Sequence, residues 1–256
     1  MRKSFPSQSK FLPKGLLVLY EDKDLLVVDK PTGLLTVATP TEKTRTAHFV
    51  LTDYIRKGCG RSQKRLFVVH RLDRDTSGTL IFAKSEEAKF RLQEQWKQTE
   101  KKYLAVVHGK LEKTSGTITS YLAEDDNYNV YSTSDSTKGR LSHTAYTVLK
   151  ETKGLSLLEV TLLTGRKNQI RVHLAGIGHP IVGDTKYGKA DDSSARLALH
   201  ARSISFKHPF SKKQLSFEAE VPAFFSALVG RIQLENSPAK PASTPKKLLP
   251  DRKYCM

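Results

Sequence analysis

Two cysteines in 256 residues, Cys59 and Cys255, are too few for a disulfide framework or a cysteine metal cluster. That scarcity suits a reducing, cytoplasm-like compartment. Aromatic residues make up only 8% and apolar residues 38%. No apolar run approaches the roughly 18 residues a membrane span needs. The first 15 residues lack the apolar core of a secretory signal, although their basic charge leaves organellar import open. Phosphate-binding Gly-x-x-x-x-Gly-Lys-Ser/Thr and dinucleotide Gly-x-Gly-x-x-Gly loops are both missing. His173, His179, His200 and His208 follow neither His-x-x-x-His nor His-Glu-x-x-His spacing, so no metal site is expected.

Acid is the other scarcity. Lys and Arg number 43 against 26 Asp and Glu, a formal charge of +17. The segments 1–15 and 236–256 contribute +4 each, which leaves +9 on the body. A body this basic favours a polyanionic partner, because neutralising phosphates releases counterions. Nucleic acid is the natural candidate, and an anionic membrane surface or a mere solubility charge are the alternatives.

The pattern divides the chain into a basic, irregular segment over 1–15, one folded body over 16–235, and a basic proline-rich tail over 236–256. In the body, Leu16–Tyr20 and Leu25–Asp29 predict a hairpin, and Lys30-Pro31-Thr32-Gly33 ends its second strand. Periodicity predicts a helix over Thr46–Lys57 stopped by Gly58, and another over Glu86–Gln98 capped by Ser85. A strand at Tyr103–Val107, a β-rich stretch over 117–161 and a helix over Lys167–Ala175 follow. Strands at Ser203–Phe206 and Gln214–Glu218 then precede a closing helix over Ala223–Leu234. Strands and helices without a regular βαβ rhythm argue for an α+β fold on an antiparallel or mixed sheet.

Chemistry concentrates in His70-Arg71-Leu72-Asp73-Arg74-Asp75-Thr76-Ser77-Gly78, set between the apolar runs Leu66–Val69 and Thr79–Ala83. Two strands would hold this loop rigidly, as a catalytic segment requires, although Asp, Ser, Thr and Gly also build salt-bridged turns. Asp73 and Asp75 share a side if the backbone is extended, and separate if it turns. An arginine on each side of Asp73 would keep its carboxylate ionised. A second cluster, Gly165-Arg166-Lys167-Asn168-Gln169-Ile170-Arg171-Val172-His173, sets basic residues near a helix start, which suits either an anion or plain solvation. The third, Gly176 to Gly188, reads as a shaped loop.

In order along the chain stand Lys30-Pro31-Thr32-Gly33, the His70–Gly78 loop, Lys101-Lys102-Tyr103, Gly165-Arg166-Lys167-Asn168-Gln169-Ile170-Arg171 and Gly178-His179-Pro180-Ile181-Val182-Gly183-Asp184. This set resembles the RluA family of RNA pseudouridine synthases over roughly residues 16–225. The resemblance implies a cleft between two halves of a long sheet. It also implies isomerisation of uridine to pseudouridine in RNA, with neither metal nor organic cofactor. Carried over by position, Asp73 is the essential carboxylate and Arg71 fills the gap left by the extracted uridine. Tyr103 stacks on the base and is a candidate for the proton step at carbon 5, and Arg171 pairs with the carboxylate. Substrate contacts fall to His70, Leu72, Thr76, Arg166, Gln169, Ile170 and His173. The implied partner is rRNA or tRNA, with no membrane, no obligatory protein partner and a monomeric chain.

Departures are Asn168 where the family has His, Thr79 where it has Leu, and a 34–41 segment without the family's His-Pro element. The family's small N-terminal RNA-binding domain is not expected here. Two other readings are a non-catalytic RNA-binding protein or RNA chaperone on the same scaffold, and a metal-dependent hydrolase using Asp73, Asp75 and histidines.

Overall fold

The computed structural model describes residues 12–234 except 58, 191, 193 and 195. The expected proline-rich tail, most of the basic N-terminal segment and the expected helix stop at Gly58 therefore lie outside the described residues. Strand β1 (Leu17–Glu21) pairs antiparallel with β2 (Leu25–Lys30) across a turn in which Asp22 Oδ1 accepts the Asp24 and Leu25 amides at 2.8 and 2.7 Å. Such a side-chain-closed turn is a standard use of aspartate. The unbroken apolar run of β2 marks an inner strand covered on both faces. Leu26 and Val28 point into one core cluster, Leu25 and Val27 into the other.

Strand β3 (Phe67–Val68) and β4 (Ser77–Ala83) follow, antiparallel to each other, and β2 flanks β4. Between β2 and β3 lies helix α1 (Ala47–Arg56), started by Thr46, whose hydroxyl accepts the Phe49 amide at 3.1 Å. It stops at Lys57, in the left-handed region at φ 54°, one residue before the expected Gly58. Ser85 caps α2 (Glu86–Glu94) as expected. That helix ends four residues early, tightening into a 3-10 turn where Trp96 packs on His70, ring centroids 4.8 Å apart. Tertiary packing overrides the apolar spacing there.

The β-rich stretch resolves into β5 (Glu100–His108), β6 (Ser115–Glu124), β7 (Val130–Thr133), β8 (Arg140–Glu151) and β9 (Leu155–Leu162). Helix α3 (Gln169–Gly176), β10 (Leu199–Lys207), β11 (Gln214–Glu218) and α4 (Ala223–Val229) complete the order. α4 ends five residues before the expected Leu234, at Gly230 with φ 72°, a stop that sequence reading passed over. Among the described residues no helix is long and apolar enough to cross a membrane.

Among the described residues, eleven strands form one mixed sheet in the order β1-β2-β4-β10-β5-β9-β8-β6-β7, with β3 on β4 and β11 on β10. The α+β expectation holds. β10 joins the halves: it runs antiparallel to β5, but meets β4 in parallel only at His200 against Ser77 and Ala201 against Gly78. At this short seam the backbones nearly touch. Gly78 has φ 116°, and a Cβ there would lie 2.2 Å from the Ala201 carbonyl oxygen. Only glycine tolerates both conditions. Gly78→Ala is expected to cost about 3 kcal/mol and lower Tm by about 6–12 °C. Calorimetry giving an unchanged Tm would show that the seam yields.

Candidate active site

The loop between β3 and β4 is gripped by its backbone. Beneath it Lys30, 0% exposed, donates from Nζ to the carbonyls of Pro31 at 3.0 Å, Leu34 at 2.7 Å and Arg74 at 3.0 Å. The Thr36 hydroxyl donates to the Leu72 carbonyl at 2.8 Å and accepts the Leu72 amide at 3.2 Å. Thr32 donates to the Asp75 carbonyl at 2.8 Å. All these partners are main-chain atoms, so the loop's side chains stay available. His70 is the exception: its Nε2 accepts the Ile81 amide at 3.1 Å, which leaves the ring proton on Nδ1. Burial first, then the Lys101 charge, push its pKa down to about 3, so the imidazole is neutral.

Asp73 faces α3. Nη1 of Arg171 lies 3.4 Å from its Oδ2. The rest of that guanidinium is taken by Asp184, which accepts Nε at 2.8 Å and Nη2 at 2.7 Å. Tyr187 lies against the guanidinium, 5.2 Å from its ring centroid. Burial alone would raise the Asp184 pKa, but Arg171 and the Tyr187 and Lys186 amides hold it below the ordinary aspartate value. Asn168, at φ 53°, is the second donor to Asp73. With its amide oriented by its partners, the nitrogen donates to Asp73 Oδ2 at 2.8 Å and the oxygen accepts from the Tyr187 hydroxyl at 3.1 Å. Asparagine tolerates this left-handed backbone better than most residues.

A cavity of about 480 Å³ opens over the carboxylate. Its lining includes His70, Arg71, Leu72, Asp73 and Thr76 from the loop, and Tyr103 from β5. Arg166, Gln169, Ile170 and Arg171 close it from the α3 side. Burial, with the Asp73 charge adding to it, raises the Tyr103 pKa, so the ring stands as a neutral phenol.

Two expectations need correction. His173 is 2% exposed and outside the cavity lining: Nδ1 meets the Thr144 hydroxyl at 2.9 Å and Nε2 the Ser120 hydroxyl at 3.1 Å. It pins α3 to the sheet and has no face for a substrate. Gln169 touches the cavity, but its amide is fully engaged with His143, Thr144, Thr164 and the Arg166 amide. The guanidinium on Asp73 is that of Arg171, 98 residues along the chain, and the flanking Arg71 and Arg74 are exposed. Asp75 is exposed and absent from the lining, so the loop turns and the two carboxylates separate.

Lys30, Thr36, Asp184 and Tyr187 were not singled out from the sequence. Lys30 stood in a recognised turn and Asp184 in the glycine-rich third cluster, yet nothing local names their partners. The one grouping of possible metal ligands among the described residues, Asp22, Asp24 and His208, lies by the β1–β2 turn and outside the cavity lining.

The family described as RNA pseudouridylate synthase matches residues 24–176. Ribosomal large subunit pseudouridine synthase D of Nitrosomonas europaea is 36% identical over 253 residues, covering 93% of this chain and 70% of that one. An uncharacterized RNA pseudouridine synthase of Mycoplasma pneumoniae is 37% identical over 224 residues, covering 85% and 71%. The solved structure of human RNA Pseudouridylate Synthase Domain Containing 4 aligns with a TM-score of 0.71 at 26% identity, over 86% of this chain and 94% of that one. The chain belongs to the RNA pseudouridylate synthase family, on its RluA-like branch.

Two stability predictions follow from the buried charges. Asp184→Asn leaves the Arg171 guanidinium without its main partner and is expected to cost about 3–5 kcal/mol in urea unfolding at neutral pH. Because the folded Asp184 pKa is depressed, its stabilisation is full above the unfolded aspartate value of about 3.9 and is lost as pH falls through the folded value. The gap between variant and wild type should therefore narrow as pH falls below the unfolded aspartate value; a constant gap would refute the pairing.

Lys30 carries the opposite sign. Burial lowers its pKa to about 7, against the pull of Asp75 and Asp73. Between that value and the unfolded lysine value of about 10.4, the unfolded chain holds the extra proton. Wild-type stability relative to Lys30→Met should rise with pH over this window, and a flat difference would contradict it.

Proposed function

We propose that the protein isomerises specific uridines to pseudouridine in structured rRNA or tRNA, with Asp73 as the catalytic carboxylate. The observation that carries this reading is Asp73 itself, held by Arg171 and Asn168 at the wall of a cavity it shares with Tyr103. Extracting the target uracil from a stack costs about a few kcal/mol. Arg71, exposed on the gripped loop, is the group that enters the vacated space, where a planar guanidinium can stack and hydrogen-bond the stranded partner base. Leu72, Thr76 and Ile170 wall the pocket, Arg166 meets phosphate, and His70 offers a neutral N–H.

Asp73 then either attacks the anomeric carbon or removes the neighbouring sugar proton to form a glycal. On both routes the glycosidic bond breaks, the base turns, carbon 5 bonds to the sugar and its proton leaves. Tyr103 provides the ring against which the base stacks. As a neutral phenol it can take the carbon 5 proton only as its own hydroxyl proton departs. No metal, organic cofactor or obligatory protein partner enters this scheme, and the acting form is a cytoplasmic monomer.

The test is tritium release from uridine labelled at carbon 5, in large-subunit rRNA and tRNA transcripts, with and without chelator. Wild-type release should survive chelator, and Asp73→Asn should lose at least about 10³-fold in turnover. Tight RNA binding without release would favour the chaperone reading, and chelator-sensitive cleavage a hydrolase. Arg71→Ala should reduce turnover more on hairpin than on unstructured RNA. Equal losses on the two would remove the wedge role.

A further inference from the structure

Outside the catalytic lining, the turn between β6 and β7 presents Tyr128 at the rim of the same cleft. The residue is 73% exposed, and its backbone sits at φ 61°, a region few side-chain-bearing residues adopt. The turn is nonetheless well fastened. Asp125 Oδ1 accepts the Asn127 and Asn129 amides at 3.0 and 2.7 Å, and the Tyr128 amide donates to the Asp125 carbonyl at 2.9 Å. Lys167, which lines the cavity, donates to the Tyr128 carbonyl at 3.0 Å and sits 5.4 Å from the ring centroid. Two residues on, the Val130 amide donates to the hydroxyl of Tyr187, the ring that packs on Arg171. An exposed aromatic on a fastened backbone thus stands in register with the Arg171 cluster.

Charge decides what this ring can meet. Glu124, Asp125 and Asp126 lie on the same turn; of the cations beside it, Lys167 is paired with Glu124 and Lys186 faces Asp125. Both cations are thus answered by acids of the turn, which leaves little local charge to attract a phosphate. An uncharged nucleobase face needs no such charge, and stacking on tyrosine is favourable for any base.

We propose that Tyr128 is a stacking platform for an unpaired nucleobase flanking the target uridine, a specificity contact outside the catalytic pocket. This rests on the RNA-isomerase reading and extends it. Tyr128→Gly removes the ring and suits the left-handed backbone, whereas Tyr128→Phe keeps the ring. On tritium-labelled large-subunit rRNA transcripts, Tyr128→Gly should raise KM by about 5- to 100-fold with little change in kcat. Its KM should keep the wild-type salt dependence, since no phosphate contact is lost. Tyr128→Phe should match wild type.

An unchanged KM in Tyr128→Gly, an equal loss in Tyr128→Phe, or a collapse of kcat would each overturn the proposal. A second readout does not need turnover. A single-stranded RNA carrying 2-aminopurine should be quenched on binding wild type and Tyr128→Phe, and not Tyr128→Gly. Equal or absent quenching in all three also overturns it. A wild type that quenches but releases no tritium would instead count against the isomerase reading and leave the stacking contact standing.

Discussion

One buried cation organises the site. A guanidinium with little access to water must have its charge answered, and Arg171 is answered twice, by Asp184 across two hydrogen bonds and by Asp73 across a longer one. The inequality of the two partners matters. Asp184 is almost fully enclosed and fixes the plane of the guanidinium, so the remaining nitrogen points at Asp73 whether or not Asp73 is engaged elsewhere. The Asp73 carboxylate therefore faces a positive charge it does not have to orient, and it remains partly open to the cavity. Asn168 extends the same logic: it donates to Asp73 while its amide oxygen is held by the Tyr187 hydroxyl.

Much of this architecture was legible in the residues. Strands with long apolar runs, such as Leu25–Val28 and Thr79–Ala83, and helices with clear caps, such as Thr46 and Ser85, stand close to where pattern and cap chemistry put them. Helix ends were less legible. α2 stops when Trp96 finds a better contact in His70, and no local rule encodes that choice.

The site divides in the same way. Motif positions led to Asp73, Tyr103 and Arg171, and the folded chain brings all three to one cavity. The residues that hold them are defined by partners far along the chain. Lys30 is buried beneath a loop 44 residues downstream, and Asp184 finds Arg171 only once the glycine-rich loop has folded back. His173 was misread for the converse reason. A histidine in a basic motif resembles a ligand, but its place on α3 turns it toward Thr144 and the sheet.

The grip on the His70–Gly78 loop has a wider meaning. Lys30, Thr32 and Thr36 hold carbonyls and amides, and those groups are the same for almost any residue in the loop. The frame is therefore indifferent to what the exposed positions carry. Arg71 and Arg74 stand at exposed positions whose side chains can be exchanged without recasting the backbone around Asp73.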